Sequence, residues 1–147
     1  MKNQWIKSLL SGLAMVLVIG SVVAFKNMSA SRNAVNAVRA VQRIEFDFAS
    51  SSVRQRYHPD LDKLAQSIKT EKYVLALRGH ADSIGNYVSN WKLSEKRANE
   101  VKKYLIEKGV SETSVVTTPF GSTIPIASNK TPSGRQKNRR VEVNITE

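Results

Sequence analysis

The chain is 147 residues long, which gives room for one ordinary domain and a short appendage. Its 23 basic and 12 acidic side chains give a formal net charge of +11, so nucleic acid, anionic lipid and acidic polymers are all compatible partners. The chain contains no cysteine, which excludes structural disulfides, thiolate metal sites and a lipidated N-terminal cysteine.

The N-terminus carries an apolar run behind a basic start. Lys2 and Lys7 precede the uncharged residues 8–25, an arrangement typical of a secretion signal or a membrane anchor. As a helix this run would be about 27 Å long, just short of a hydrocarbon core of about 30 Å. We therefore expect residues 1–30 to form a hydrophobic helix that is either a signal peptide or a transmembrane signal anchor. The run holds no Asp, Glu or His, which argues against a proton-conducting helix.

Residues 31–42 are expected to link this helix to the domain. Val35, Val38 and Val41 recur at every third position, which is compatible with a short helical spacer and with an extended lead. The domain itself is expected at residues 43–147.

The first half of the domain contains a short strand and an amphipathic helix. Ile44, Phe46 and Phe48 alternate with acidic residues, and this period of two predicts a half-buried strand. The helix is predicted to start near Pro59 and to end by about Lys69 or Thr70, because apolar residues recur there at intervals of three and four. These residues are Leu61, Leu64, Ala65 and Ile68.

A second strand, a polar loop and a long helix follow. The apolar run at residues 73–77 predicts a strand from about Tyr73 to Arg78, and the loop around Gly85 leads into a helix expected from about Asn90 to Lys108. Gly109 is the expected C-terminal cap, since glycine adopts the left-handed conformation that ends many helices.

The remaining elements complete a sheet. Residues 115–117 predict a third strand, residues 133–138 a helical turn, and residues 141–145 an alternating fourth strand. Two successive strand-helix units favour right-handed crossovers and parallel pairing, and the last strand can then enter antiparallel. We predict an α/β fold, an α+β sandwich of βαβαβ-β order, with a mixed four-stranded sheet and helices packed on one face.

Arg97 is the residue that most needs a partner. It falls between Leu93 and Val101 on the helix face expected to be buried, where an unpaired guanidinium costs several kcal/mol. Asp82 lies just past the end of the second strand, and Asn90 shares the helix face of Arg97.

Catalytic and metal chemistry find little support in the chain. It has no convincing Ser-His-Asp order, no cysteine nucleophile and no glycine-rich phosphate loop. Its two histidines, His58 and His80, would need distant carboxylates to form a metal site, and Asp82 has no second carboxylate near it in sequence. We expect no enzyme activity, no cofactor and no metal, and we expect His80 to be hydrogen-bonded at a strand end.

Two spaced blocks of residues resemble a known family. The first comprises Gly79, His80, Asp82, Gly85, Asn90, Leu93, Ser94, Arg97 and Ala98. The second comprises Gly121, Pro125, Asn129, Thr131, Gly134, Arg135, Asn138, Arg139, Arg140, Val141 and Glu142. Their spacing resembles the peptidoglycan-binding OmpA-like domain, the module shared by OmpA, Pal and MotB. The resemblance covers residues 43–146, and two blocks in the right order make it specific.

The resemblance implies a ligand and a set of site residues. The ligand of the family is the side-chain end of meso-diaminopimelate in the stem peptide of peptidoglycan. By position, Asp82 would accept from the ligand ammonium and Arg97 would hold its carboxylate. The further positions implied are Asn90, Leu93 and Arg140 in the lining, Phe48, Ala49 and Ser50 in a closing loop, and Ala81, where many members have threonine. The alternative for Asp82 and Arg97 is an internal salt bridge that only fixes the loop to the helix.

The same resemblance implies a location and partners. We expect a noncatalytic domain in the periplasm of a Gram-negative cell envelope, membrane-anchored or outer-membrane associated, that tethers a membrane or envelope complex to peptidoglycan. The alternative is a structural docking subunit of an envelope assembly, with protein partners and incidental wall contact. Nucleic acid is not expected, because the basic block at residues 130–140 lacks interleaved aromatic residues.

Overall fold

The computed structural model describes residues 32–39, 41–69 and 73–146. The chain divides into two units, residues 1–33 and 34–147, and the described part belongs almost entirely to the second. The hydrophobic segment at residues 1–30 lies outside the described residues, so its role as signal or anchor stays a prediction. Among the helices that are described, none combines the length and apolar character needed to cross a membrane.

A mixed four-stranded sheet forms the centre of the second unit. Its strands are β1 (Arg43–Glu45), β2 (Val74–Gly79), β3 (Val115–Pro119) and β4 (Arg140–Thr146), in the spatial order β1-β4-β2-β3. β2 and β3 pair in parallel, whereas β4 runs antiparallel to both of its neighbours. The sheet predicted from the sequence is therefore confirmed.

The helices are α1 (His58–Ile68), α2 (Tyr87–Glu107) and α3 (Pro132–Asn138). α2 begins three residues before Asn90, the predicted start, because the Asn86 side chain caps it by accepting a hydrogen bond from the Ser89 N–H. Its end agrees with the prediction, since Gly109 has a left-handed φ of 90°.

The helices pack on one face of the sheet. Leu75 and Leu77 of β2 are fully buried, whereas Ala76 between them is only partly buried. The buried side chains join apolar residues of α1 and α2, such as Leu64 and Val101, in one core cluster. The period of two in the strand and the periods of three and four in the helices therefore meet in a single core.

Residues 32–39, which precede β1, are helical. Ala34, Val38 and Val41 are buried in the same core cluster as the sheet. Of the two conformations left open for the linker, these residues adopt the helical one. The limits drawn between linker and domain stay a prediction.

β1 is shorter than its alternating pattern predicts. Phe48 is 63% exposed, because the chain leaves the sheet before it. The guanidinium of Arg97 donates to the carbonyl oxygens of Asp47 and Ser50, and Ala49 between them has a left-handed φ of 54°. Residues 47–50 thus form a turn beside α2 instead of a continuation of the strand.

Candidate functional site

A cavity of about 170 Å³ opens beside the N-terminal half of α2. It is bounded by the turn at residues 47–50, by the loop that follows β2, and by the residue that precedes β4. Its lining consists of Phe48, Ala49, Asp82, Ile84, Ser89, Asn90, Leu93, Arg97 and Arg139. Residues that are far apart in the sequence meet there because the end of β2, the start of β4 and the start of α2 lie at the same edge of the sheet.

Asp82 supplies the carboxylate of the cavity, and it is only 4% exposed. Its Oδ1 accepts a hydrogen bond from the Ile84 N–H at 2.9 Å, and its Oδ2 accepts one from Arg139 Nη1 at 2.7 Å. Its backbone carbonyl accepts from Asn90 Nδ2 at 3.1 Å, which ties the loop to α2. A carboxylate has about four acceptor positions, so Asp82 keeps capacity for a ligand donor.

Arg97 is fully buried and has no carboxylate within salt-bridge distance among the described residues. Its Nε donates to the Ser50 carbonyl at 2.8 Å, its Nη1 to the His80 carbonyl at 2.9 Å and its Nη2 to the Asp47 carbonyl at 3.1 Å. A guanidinium has five N–H donors, so two remain for another acceptor. These carbonyls satisfy part of its hydrogen-bonding capacity without neutralising its charge.

The electrostatic state of Arg97 favours an anion in the cavity. Burial lowers the pKa of Arg97 to about 10, an effect that the attraction of Asp82 partly offsets and the repulsion of Arg139 reinforces. The group is still protonated at neutral pH, and a desolvated positive charge is stabilised when a carboxylate approaches it.

Arg139 brings a second guanidinium to the cavity. It forms the ion pair with Asp82, its Nη2 donates to Gln136 Oε1, and its Cζ lies 6.0 Å from the centre of the Phe48 ring. The internal salt bridge considered for Asp82 and Arg97 is thus formed by Asp82 and Arg139 instead.

The structure brings most of the predicted site residues together. Those that line the cavity are Phe48, Ala49, Asp82, Asn90, Leu93 and Arg97. Ser50 is not part of the lining, and its carbonyl accepts a hydrogen bond from Arg97 Nε. Ala81 is buried outside the lining, and its N–H donates to the Gly121 carbonyl at 2.7 Å. The ligand contacts of all these residues stay predictions.

Arg140 was predicted to line the cavity, but in the structure it lies outside the lining. It is fully buried, and it bonds the Glu142 carboxylate and the carbonyls of Asn138 and Ile124. Successive residues of a strand point to opposite faces, so Arg140 and Glu142 face away from the core that Val141 enters. Arg139, one residue earlier, occupies the position that was expected for Arg140.

His80 also differs from the prediction. It is 2% exposed, and neither ring nitrogen has a hydrogen-bond partner in the described part of the chain, so the expected side-chain hydrogen bond is wrong. Its ring stacks on Phe120 at 5.3 Å, and its Nε2 lies 3.9 Å from Glu142 Oε2. Burial, assisted by Arg140 and Arg78, lowers the pKa of His80 to about 4, and Glu142 opposes this only in part. The imidazole is therefore neutral at physiological pH.

Three lining residues were not predicted from the sequence: Ile84, Ser89 and Arg139. Ser89 would have been found with the correct helix start, because it lies four residues before Leu93 on the same face of α2. Arg139 belongs to the second sequence block, but only the register of β4 distinguishes it from Arg140.

The cavity suits a small ligand with charges of both signs. Two guanidinium groups and one carboxylate give the lining a net positive charge. A ligand carboxylate can use the free donors of Arg97, and a ligand ammonium can approach Asp82. Leu93, Ile84 and Phe48 add apolar surface against which methylene groups can pack.

Comparison with known proteins identifies the family. Residues 45–139, well over half of the chain, match the family model described as OmpA family. The chain belongs to the OmpA family. Arg139 is the last residue of the matched range, so the whole cavity of this OmpA-family chain falls within it.

Two curated relatives illustrate the similarity of this OmpA-family chain. Outer membrane protein A of Bordetella avium is 43% identical over 101 residues, which cover 68% of this chain and 52% of that protein. Peptidoglycan-binding protein ArfA of Mycobacterium bovis is 36% identical over 113 residues, which cover 76% of this chain and 34% of that protein. The chain therefore spans about half the length of the first relative and about a third of the second.

A solved structure agrees with the OmpA-family fold. The crystal structure of the peptidoglycan-associated lipoprotein from Burkholderia pseudomallei matches with a TM-score of 0.72 and 27% identity. The match covers 74% of this chain and 93% of that one. It confirms the predicted sheet with its helices as the fold of the family.

Proposed function

We propose that this chain binds peptidoglycan through the cavity beside α2 and attaches a component of the cell envelope to the wall. The observation that carries the proposal is that Asp82 and Arg97, from a strand end and a helix, line one cavity. It is supported by similarity to a protein named as peptidoglycan-binding and to another named as peptidoglycan-associated.

The ligand of this cavity is the side-chain end of diaminopimelate, which carries an ammonium and a carboxylate on one carbon atom. Its carboxylate receives hydrogen bonds from the two N–H donors that Arg97 has free. Its ammonium lies against Asp82, which holds acceptor positions beyond those used by Ile84 and Arg139. The methylene groups of the ligand pack on Leu93.

Such a site binds one stem peptide weakly. Two charge-assisted contacts contribute roughly 1.5–3 kcal/mol each, and the loss of freedom on association offsets much of that. Firm attachment comes from the polymeric wall, because a domain held at an envelope surface meets many ligands at high effective concentration. The function requires binding alone and no reaction, and attachment through residues 1–30 belongs to the same proposal.

Cosedimentation of the full-length chain with isolated sacculi, in mild detergent, tests the proposal. Ser89 lines the cavity and is exposed, so Ser89→Phe places a ring in the opening without disturbing the core. We expect at least a tenfold loss of bound protein. The matched control is Val88→Phe, since Val88 is 58% exposed and lies outside the lining, and this variant should sediment as the wild type does.

Asp82→Asn provides a second variant of nearly the same shape. It removes the charge that faces the ligand ammonium and should lower sacculus binding by about tenfold, the value of one charge-assisted hydrogen bond. Circular dichroism of each variant checks that it is folded. Wild-type binding by folded Ser89→Phe and Asp82→Asn would exclude this cavity as the binding site.

A further inference from the structure

A second groove continues along the flank of α2 that borders the first cavity. Its volume is about 230 Å³, and it is lined by Ser52, Val53, His58, Glu100, Lys103, Tyr104 and Glu107. Leu93 and Arg97 of the first cavity and Glu100 and Tyr104 of the second follow one another at intervals of four, three and four residues. Such spacing keeps all of them on one flank of the helix.

The segment at residues 48–53 borders both openings. Phe48 and Ala49 line the first cavity, whereas Ser52 and Val53 line the second. Along α2, the step from Arg97 to Tyr104 is about 10 Å at 1.5 Å per residue, the length of about three residues of extended peptide. A chain-like ligand held in the first cavity can therefore reach the second.

The floor of the second groove is fixed by internal contacts. Tyr104 donates its hydroxyl hydrogen to Asp62 Oδ1 at 2.9 Å, and Lys108 Nζ lies 2.9 Å from the same carboxylate oxygen. The Tyr104 ring also contacts His58, with 4.9 Å between the ring centres. These contacts fix the position of the Tyr104 ring in the groove lining.

The groove is bordered by charged side chains that form no ion pair within the described part of the chain. Glu100, Lys103 and Glu107 form no salt bridge with any residue in the described ranges, whereas neighbouring Lys102 and Lys108 pair with acidic residues. Unpaired charges of both signs around a concave surface suit a polar, charged peptide better than a neutral sugar. The exposed ring pair of Tyr87 and Trp91 lies outside the lining of both cavities.

We propose that this second groove binds the part of the stem peptide that extends from diaminopimelate, and that Lys103 pairs with a carboxylate of that peptide. The inference rests on the proposed function, because it requires the diaminopimelate end to occupy the first cavity. It makes the binding surface a peptide track along α2 with one charged pocket at each end.

Calorimetric titration of the full-length chain with two probes tests this proposal. The probes are free meso-diaminopimelate and the tripeptide L-alanyl-γ-D-glutamyl-meso-diaminopimelate. We expect the tripeptide to bind about two- to fivefold more tightly, the gain expected from one exposed ion pair. Lys103→Ala should abolish this gain and leave the affinity for free diaminopimelate unchanged. Lys92→Ala is the control, since Lys92 is an exposed lysine of α2 that lines neither cavity.

Each outcome decides one of the two proposals. If the wild type binds both probes with equal affinity, the proposal for the second groove is wrong and the proposal for the first cavity stands. The proposal for the second groove is also wrong if the tighter binding of the tripeptide is reduced no more by Lys103→Ala than by Lys92→Ala. If neither probe binds to the wild type, the proposed function fails and the second groove fails with it.

Discussion

Arg97 serves the fold and the site with the same side chain. Its bonds to the carbonyls of Asp47 and Ser50 hold the turn that borders the cavity, and its remaining donors are free for a ligand. The three internal carbonyls offset part of the cost of burying this charge, and in the proposed complex the ligand carboxylate would offset more of it. Because the turn is held before any ligand arrives, binding does not have to order it.

The buried ring of His80 should make the folded chain less stable in acid. Its pKa is about 4 in the folded chain and near its ordinary value of 6.5 when unfolded. The fold disfavours the protonated ring. The contribution of neutral His80 to the free energy of unfolding is therefore complete above pH 6.5 and is lost as the pH falls toward 4. Arg140, Arg78 and Glu142 are the charged groups that act on it.

His80→Phe removes this titration and keeps a ring to stack on Phe120. Between pH 7 and pH 5 we expect the variant to lose less stability than the wild type, by on the order of 1 kcal/mol. Urea unfolding at the two pH values measures the difference. Parallel loss of stability in variant and wild type would show that His80 is not held neutral.

The sequence alone does not distinguish which of two adjacent arginines faces the cavity. The second block names both Arg139 and Arg140, and both are cations of the same size. Only the pairing of Glu45 with Arg140 and of Gly79 with Val141 fixes which one faces the cavity. A shift of one residue reverses every side chain of a strand, and no local pattern in the sequence sets that register.

At the scale of elements, the close packing of α2 on β2 positions the site. A Cβ atom added to Gly79 would lie 2.0 Å from the backbone oxygen of Ser94, so only glycine lets the strand end approach the helix this closely. Ser94 in turn accepts a hydrogen bond from the Gly121 N–H through its Oγ. The helix, the strand end and the following loop are thus fixed together next to Asp82.

Gly79→Ala should therefore be strongly destabilising. Backbone atoms must move to accept the methyl group, and we expect a loss of about 2–3 kcal/mol in the free energy of unfolding. Chemical denaturation measures it. Arg78→Ala, on the exposed face of the same strand, is the control and should change stability by less than about 1 kcal/mol. A Gly79→Ala variant as stable as this control would contradict the close contact.

The accuracy of the sequence prediction differed between elements for physical reasons. α1 was placed well because its apolar residues repeat regularly and Pro59 marks its start. The prediction extended β1 too far, because the alternation of apolar and acidic residues continues through Phe48. In the structure, Arg97, about 50 positions away, donates hydrogen bonds to the carbonyls of the turn. Such a tertiary contact outweighs the local preference for a strand, and it cannot be recognised from the local sequence pattern.

At the scale of the whole molecule, the site depends on three segments that only the fold brings together. Asp82 and Arg97 could be named from one sequence block, because a strand end and the next helix are necessarily close. The groove at Lys103 and Tyr104 could not, since it requires the packing of α2 against the loop at Ser52 and the start of α1. Its residues belong to neither of the two sequence blocks.

The chain as a whole has a formal net charge of +11, but the candidate site depends only on the charges of its own lining. In the cavity, two guanidinium groups face one carboxylate, so the lining favours ligands that bring a carboxylate of their own. A stem peptide that lacks this carboxylate should therefore bind more weakly than one that carries it.

The central claim is that Arg97 and Asp82 recognise a carboxylate and an ammonium on the same ligand carbon atom. The most direct test is an NMR titration of the isotope-labelled full-length chain with two stem tripeptides, one ending in diaminopimelate and one in lysine. Lysine keeps the side-chain ammonium and lacks the carboxylate. We predict saturable shifts at the amides of Ile84, Asn90 and Leu93 with the diaminopimelate peptide, and at least tenfold weaker binding of the lysine peptide. Equal binding of both peptides, or shifts confined to residues away from this cavity, would contradict the claim.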